Sequence, residues 1–106
     1  MNPTYSETEP PRAEIDALGG PTVIEFGANW CGICAATQPA INAAFASRPE
    51  VRHLKIADGP GQPLGRSFKV KLWPTLIFLK EGKEVERIVR PPDREAISAA
   101  LERLVG

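Results

Sequence analysis

Residues 22 to 34 read T-V-I-E-F-G-A-N-W-C-G-I-C. Thr22 to Phe26 is β-branched and aromatic and almost continuously apolar, the pattern of a strand buried on both faces. Such a strand needs helices packed over it. A short turn leads to the only two cysteines of the chain, three apart. The following A-A-T-Q-P-A-I-N-A-A-F-A-S carries helix formers with apolar residues at helical spacing. A helix is therefore expected from at or near Cys31, kinked after its first turn by Pro39.

On the N-terminal side, P-R-A-E-I-D-A-L-G-G has proline at a helix start, Ile15 and Leu18 three apart, and glycines at the stop, so a short helix precedes the strand. Residues 1–10 are polar, and Pro10-Pro11 cannot lie inside a central strand; they read as an arm or at most a short edge strand, leaving 11–106 as the domain. On the C-terminal side, V-R-H-L-K-I-A (51–57) is a second strand, followed by a glycine- and proline-rich loop and a short helix around Leu64 to Phe68. L-I-F-L-K and E-V-E-R-I-V flank E-G-K, a hairpin signal. Asp93 is placed to cap a last helix with Ile97, Leu101 and Leu104 along one face. Strands alternating with helices before a terminal antiparallel hairpin predict a single α/β domain with a mixed central sheet. Phe26, Phe45, Phe68 and Phe78 are assigned to its core.

The 106 residues suffice for one domain that buries its apolar side chains without a disulfide framework. Thirteen basic and thirteen acidic residues are spread along the chain, with no run that suits nucleic acid or a membrane surface. The longest apolar stretch, about L-I-F-L, is far short of the roughly 20 residues a membrane helix needs. The start lacks the basic and apolar regions of a secretory signal, which points to the cytoplasm; a chain already relieved of its signal peptide would read the same.

Three roles are open to the cysteine pair. A structural disulfide across so small a loop removes little entropy from the unfolded chain and would be a poorly placed staple. A zinc site needs three or four ligands, and the chain adds one histidine, His53, in a strand without a second ligand spaced near it. Redox chemistry suits the position best. Buried strand, short loop and helix start put Cys31 where free backbone N–H groups and the helix dipole favour a thiolate. Cys34, one turn on and further inward, is placed to attack a mixed disulfide on Cys31 and release the substrate.

These residues resemble the thioredoxin family, and the similarity runs from about Ile15 to Val105. Its carriers are V-I-E-F-G-A-N-W-C-G-I-C, Pro39 five residues after the second cysteine, W-P-T-L-I-F-L (73–79), and the hairpin glycine Gly82. Two separated motifs in the right order are much more specific than either alone. The resemblance implies the thioredoxin fold, a mixed sheet with helices on both faces. It implies Cys31 as attacking thiol, Cys34 as resolving thiol and Pro74 in a cis peptide bond facing them. Trp30, Gly32, Ile33, Trp73 and Pro74, with Thr75 beside them, are expected to form an apolar docking rim, the Trp73 backbone offering its N–H and C=O to an extended substrate.

Glu25 lies in a strand that should be buried, where a carboxylate is costly unless paired or protonated. The family commonly has an aspartate here, and Glu25 reads as its longer equivalent, accepting the Cys34 proton through water; the plainer reading is a carboxylate facing solvent. The family's nearby lysine falls on Leu54 or Lys55, depending on a one-residue register. Three positions depart from the usual pattern. Ile33 replaces a proline, Trp73 is bulky for its place, and Arg90 stands where a glycine is usual. Trp73 and Arg90 are expected to alter partner choice and Arg90 to help stabilise the Cys31 thiolate, or else simply to point into water. His53 is read as a strand side chain at the surface or packed in place, without a catalytic role.

By this reading the chain is a protein disulfide reductase with no bound cofactor beyond the redox-active Cys31–Cys34 pair. It would act as a monomer on disulfide-containing proteins, fed by a flavin- and NADPH-dependent reductase or a dedicated partner. A glutathione-using glutaredoxin fits the W-C-G-I-C motif less well. The alternative from another class is a non-catalytic module that holds partners in the same groove, its cysteines idle or sensing redox state.

Overall fold

A computed structural model gives the structure of the chain, and residues 4–106 are described. Eight elements follow in the predicted order: α1 (Arg12–Asp16), β1 (Pro21–Gly27), α2 (Gly32–Ala46), β2 (Arg52–Ala57), α3 (Pro63–Ser67), β3 (Thr75–Lys80), β4 (Lys83–Val89) and α4 (Arg94–Val105). The four strands form one sheet in the order β2-β1-β3-β4. β1 runs parallel to β2 and antiparallel to β3, and β3 pairs antiparallel with β4. The sheet is thus mixed, with β1 at its centre.

Period-2 alternation along β1 and β3 divides the core in two. Val23, Leu76 and Phe78 meet Ile41, Ala44 and Phe45 of α2 and Ile97, Ala100, Leu101 and Leu104 of α4. Ile24, Phe26, Ile77 and Leu79 point the other way, onto Ile15, Leu64 and Phe68. All four phenylalanines are buried. Helices therefore cover both faces, which is why β1 reads as an unbroken apolar run with a single charged residue inside it, Glu25.

Local chemistry fixes the ends of the elements. Cys31 is the N-cap of α2, its Sγ accepting from the Cys34 N–H, and Pro39 lies inside that helix. Asp93 caps α4 by accepting from the Ala96 N–H at 2.9 Å. At the β3–β4 turn both Glu81 and Gly82 have positive φ. A Cβ on Gly82 would stand 2.0 Å from the Asp16 backbone oxygen, so only glycine fits there.

The predicted arm is packed into the domain. Its residues 1–3 lie outside the described residues, but Ser6 bridges Ile56 in parallel at the free edge of β2, donating to the Lys55 carbonyl at 2.9 Å and accepting from the Ala57 N–H at 2.8 Å. Tyr5 is buried. A single bridge leaves no periodic pattern for sequence to show, so the partner of this segment is found only in the structure.

Candidate active site

The loop after β1 and the first turn of α2 hold the two sulfurs. Cys31 is partly exposed, Cys34 is buried, and both thiols are free. The Cys34 N–H donates to Cys31 Sγ at 3.1 Å, a first-turn amide of the helix directed at the outer sulfur. Burial pushes the Cys34 thiol up to about 11, helped by its hydrogen bond to Cys31. Cys34 thus stays protonated while Cys31 faces the surface.

Beneath Cys34 lies a polar cluster built around Glu25, which has no exposed surface. Register pairs Glu25 with Lys55 and Val23 with His53 across β1 and β2, placing both basic residues beside the carboxylate. Leu54 packs against the opposite core, so Lys55 is the residue of the open register. Lys55 Nζ donates to Glu25 Oε2 at 3.0 Å, and His53 Nε2 donates to Oε1 at 2.8 Å. Gln38 of α2 adds Nε2 to Oε2 at 2.7 Å, and the Tyr5 hydroxyl donates to the same oxygen. Burial alone would raise this carboxyl; the His53 hydrogen bond, the Lys55 ammonium, Tyr5 and Gln38 outweigh it and hold Glu25 down to about 2. Glu25 is therefore ionised and fully partnered.

Tyr5, Gln38 and this role of His53 escape the sequence reading. Gln38 carries one usable signal, standing four residues after Cys34 on the same face of α2. Of the two placements open to His53 it takes the packed one, its ring stacked on Phe45 at 3.9 Å, but its bond to Glu25 needs the strand register. Tyr5 is a lone aromatic in a polar segment, and Gly27 inside β1 is its counterpart: a Cβ there would come within 2.5 Å of the Tyr5 ring.

The outer surface is a cleft of about 380 Å³ lined by Trp30, Cys31, Gly32, Ile33, Trp73 and Arg90, together with Lys71 and Leu72. Trp30 is 79% exposed and meets Trp73 edge-on, ring centres 5.3 Å apart. Asp58, in the loop after β2, accepts from Trp73 Nε1 at 2.8 Å and fixes that ring. The Trp73–Pro74 peptide bond is cis. Arg90 has a φ of 52°, the left-handed backbone that a glycine takes most easily. Its N–H binds the Pro74 carbonyl at 2.8 Å and its Nε donates to the Trp73 carbonyl at 2.8 Å. Arg90 thus takes one lone pair of the Trp73 C=O expected to pair with substrate. Thr75 is corrected: it is buried, its hydroxyl donating to the Leu72 carbonyl at 2.5 Å, so its side chain braces the loop from behind and forms no part of the rim. Among the described residues no cluster of three or more His, Cys, Asp or Glu is placed to hold a metal ion, and no helix is long and apolar enough to cross a membrane.

Comparison with known proteins agrees with this geometry. The family model described as Thioredoxin matches residues 7–103. Thioredoxin of Chlamydia trachomatis is 37% identical over 84 residues, spanning 79% of this chain and 82% of that one. The reduced form of thioredoxin 2 from Pseudomonas aeruginosa superposes with a TM-score of 0.90 at 54% identity, covering 100% of this chain and 98% of the other. A segment of human protein disulfide-isomerase A2 is 38% identical over 90 residues, 79% of this chain but 17% of that protein. The chain belongs to the thioredoxin family and is a thiol–disulfide oxidoreductase.

Proposed function

We propose that this oxidoreductase works as a reductase of protein disulfides in a reducing compartment such as the cytoplasm, drawing electrons from a flavin- and NADPH-dependent reductase. One observation carries the division of labour: Cys31 is the outer, partly exposed sulfur and caps α2, while Cys34 is buried one turn inward with its amide on Cys31 Sγ. The Cys31 thiolate attacks a substrate disulfide, forming a mixed disulfide and expelling one substrate thiolate. Cys34 then attacks Cys31 Sγ, closes the Cys31–Cys34 disulfide and expels the second. No further cofactor takes part, since both electrons come from the two thiols.

Around this exchange, Glu25 is the acceptor for the proton Cys34 gives up. The partners that hold Glu25 ionised and the burial that keeps Cys34 protonated both oppose a free-standing transfer, so the proton moves only as the new sulfur–sulfur bond forms. Trp30, Gly32, Ile33, Trp73 and the Trp73–Pro74 backbone dock an extended substrate segment, and Arg90 beside Lys71 gives the cleft a basic edge that selects among partners.

A single-turnover assay with a disulfide-bonded protein substrate tests this reading. Cys34→Ser should accumulate the mixed disulfide and stall, and Cys31→Ser should form none. Capture of the substrate by a variant lacking both sulfurs, with no turnover by the parent, would identify a binding module instead.

A further inference from the structure

The proton leaving Cys34 needs a path to Glu25, and the described residues show what fills the space between them. Tyr5, Cys34 and Ala57 pack together as one buried cluster, which sets the Tyr5 side chain directly against Cys34. The same hydroxyl donates to Glu25 Oε2 and accepts from Gln38 Nε2 at 3.1 Å.

We propose that the Tyr5 hydroxyl is a catalytic group of the resolution step, carrying the proton from the Cys34 thiol to the Glu25 carboxylate in the place assigned to water. This rests on the reading that Cys34 resolves a mixed disulfide on Cys31.

The donor count gives the relay its direction. A phenol has one proton to donate and two lone pairs. An ionised carboxylate only accepts, so the Tyr5 proton is committed to Glu25. One lone pair is taken by the Gln38 amide, leaving the other for the Cys34 S–H. The order is then S–H to phenol oxygen, and phenol O–H to carboxylate. When Cys34 Sγ attacks Cys31 Sγ, its proton passes to the Tyr5 oxygen as the Tyr5 proton passes to Glu25. The Cys31–substrate bond breaks, the Cys31–Cys34 bond forms, and the substrate sulfur leaves as thiolate. The proton gained by Glu25 balances the one Cys34 lost. Burial and the Glu25 charge both raise the phenol well above its ordinary range, so it relays without ionising on its own.

The segment is built to hold this hydroxyl in place. Asn29, two residues before Cys31, grips the Tyr5 backbone from both sides, accepting its N–H at 2.8 Å and donating to its carbonyl at 3.2 Å. Gly27 leaves the room that a Cβ would deny the ring. Lys55 Nζ lies 4.4 Å from the ring centre while it pairs with Glu25.

Tyr5→Phe keeps the ring in its seat and removes the relay. In single turnover it should form the mixed disulfide at the parent rate but resolve it about a hundredfold more slowly, the low end of general acid–base effects. Resolution at the parent rate would overturn the proposal. Should Tyr5→Phe fail to fold, the parent can be grown on 3-fluorotyrosine, which labels this position alone because the chain has one tyrosine. Fluorine weakens the phenol oxygen as an acceptor and strengthens its O–H as a donor with little change of shape, so the resolution rate should change and the formation rate should not; unchanged rates for both would overturn the relay. Failure of Cys34→Ser to trap a mixed disulfide would instead strike the underlying reading.

Discussion

Glu25 has no surface in contact with water, and a buried charge survives only where its partners outweigh the loss of hydration. Here they do, and the sign of the consequence for stability is definite. The folded carboxyl sits at about 2 against an ordinary 4.5, so its contribution is fully present above about pH 4.5 and is lost as pH falls through about 2. At 1.36 kcal/mol per pH unit the whole effect is roughly 3 kcal/mol. Glu25→Gln should therefore be markedly less stable than the parent at pH 7, and the gap should narrow by about 1–2 kcal/mol at pH 3 in denaturant titrations. An unchanging gap would mean that the carboxyl is not held down by its partners. The need for a partner was legible from one acidic residue in an apolar strand, and Lys55 was one of two choices. The remaining partners were not legible, because they come from α2, from the next register position on β2 and from the N-terminal segment, brought together only by tertiary packing.

The short segment ahead of α1 has more consequence than its length suggests, since it pairs with the edge of β2 and sets Tyr5 over Gly27. Gly27→Ala would place a Cβ 2.5 Å from the Tyr5 ring, and one of them must move. The expected result is expulsion of the ring, a stability loss of about 1–3 kcal/mol by overpacking, and slowed resolution like that of Tyr5→Phe. The NMR signals of the single tyrosine should shift toward solvent-exposed values; unchanged signals with parental stability would show that the seat is not tight. The periodic elements were legible, α2 and α4 from 3.6-residue spacing and β1 and β3 from apolar runs. The N-terminal segment was legible only as an arm or short edge strand, and its partner was not, because two residues of bridge carry no period. Arg90 was legible as out of place, and its positive φ explains why glycine is the usual choice there; its bond to the Trp73 carbonyl depends on the path of the loop.

Taken whole, the molecule holds its chemistry at one end of a mixed sheet, where the β1–α2 loop, the Trp73–Pro74 turn and the N-terminal segment meet. The sequence made that arrangement readable through two separated motifs, whereas the direction of electron flow depends on the energy of the pair and is written in no motif. Similarity both to thioredoxins and to a segment of a disulfide isomerase makes that energy the deciding quantity. A protein that reduces disulfides must hold electrons at a potential below that of its surroundings, and 30 mV corresponds to about 1.4 kcal/mol for this two-electron couple. The most direct test is the equilibrium reduction potential of the Cys31–Cys34 pair in a glutathione redox buffer. A reductase requires a value well below roughly −230 mV, and a value near about −120 to −180 mV would contradict the account and mark an oxidant or isomerase.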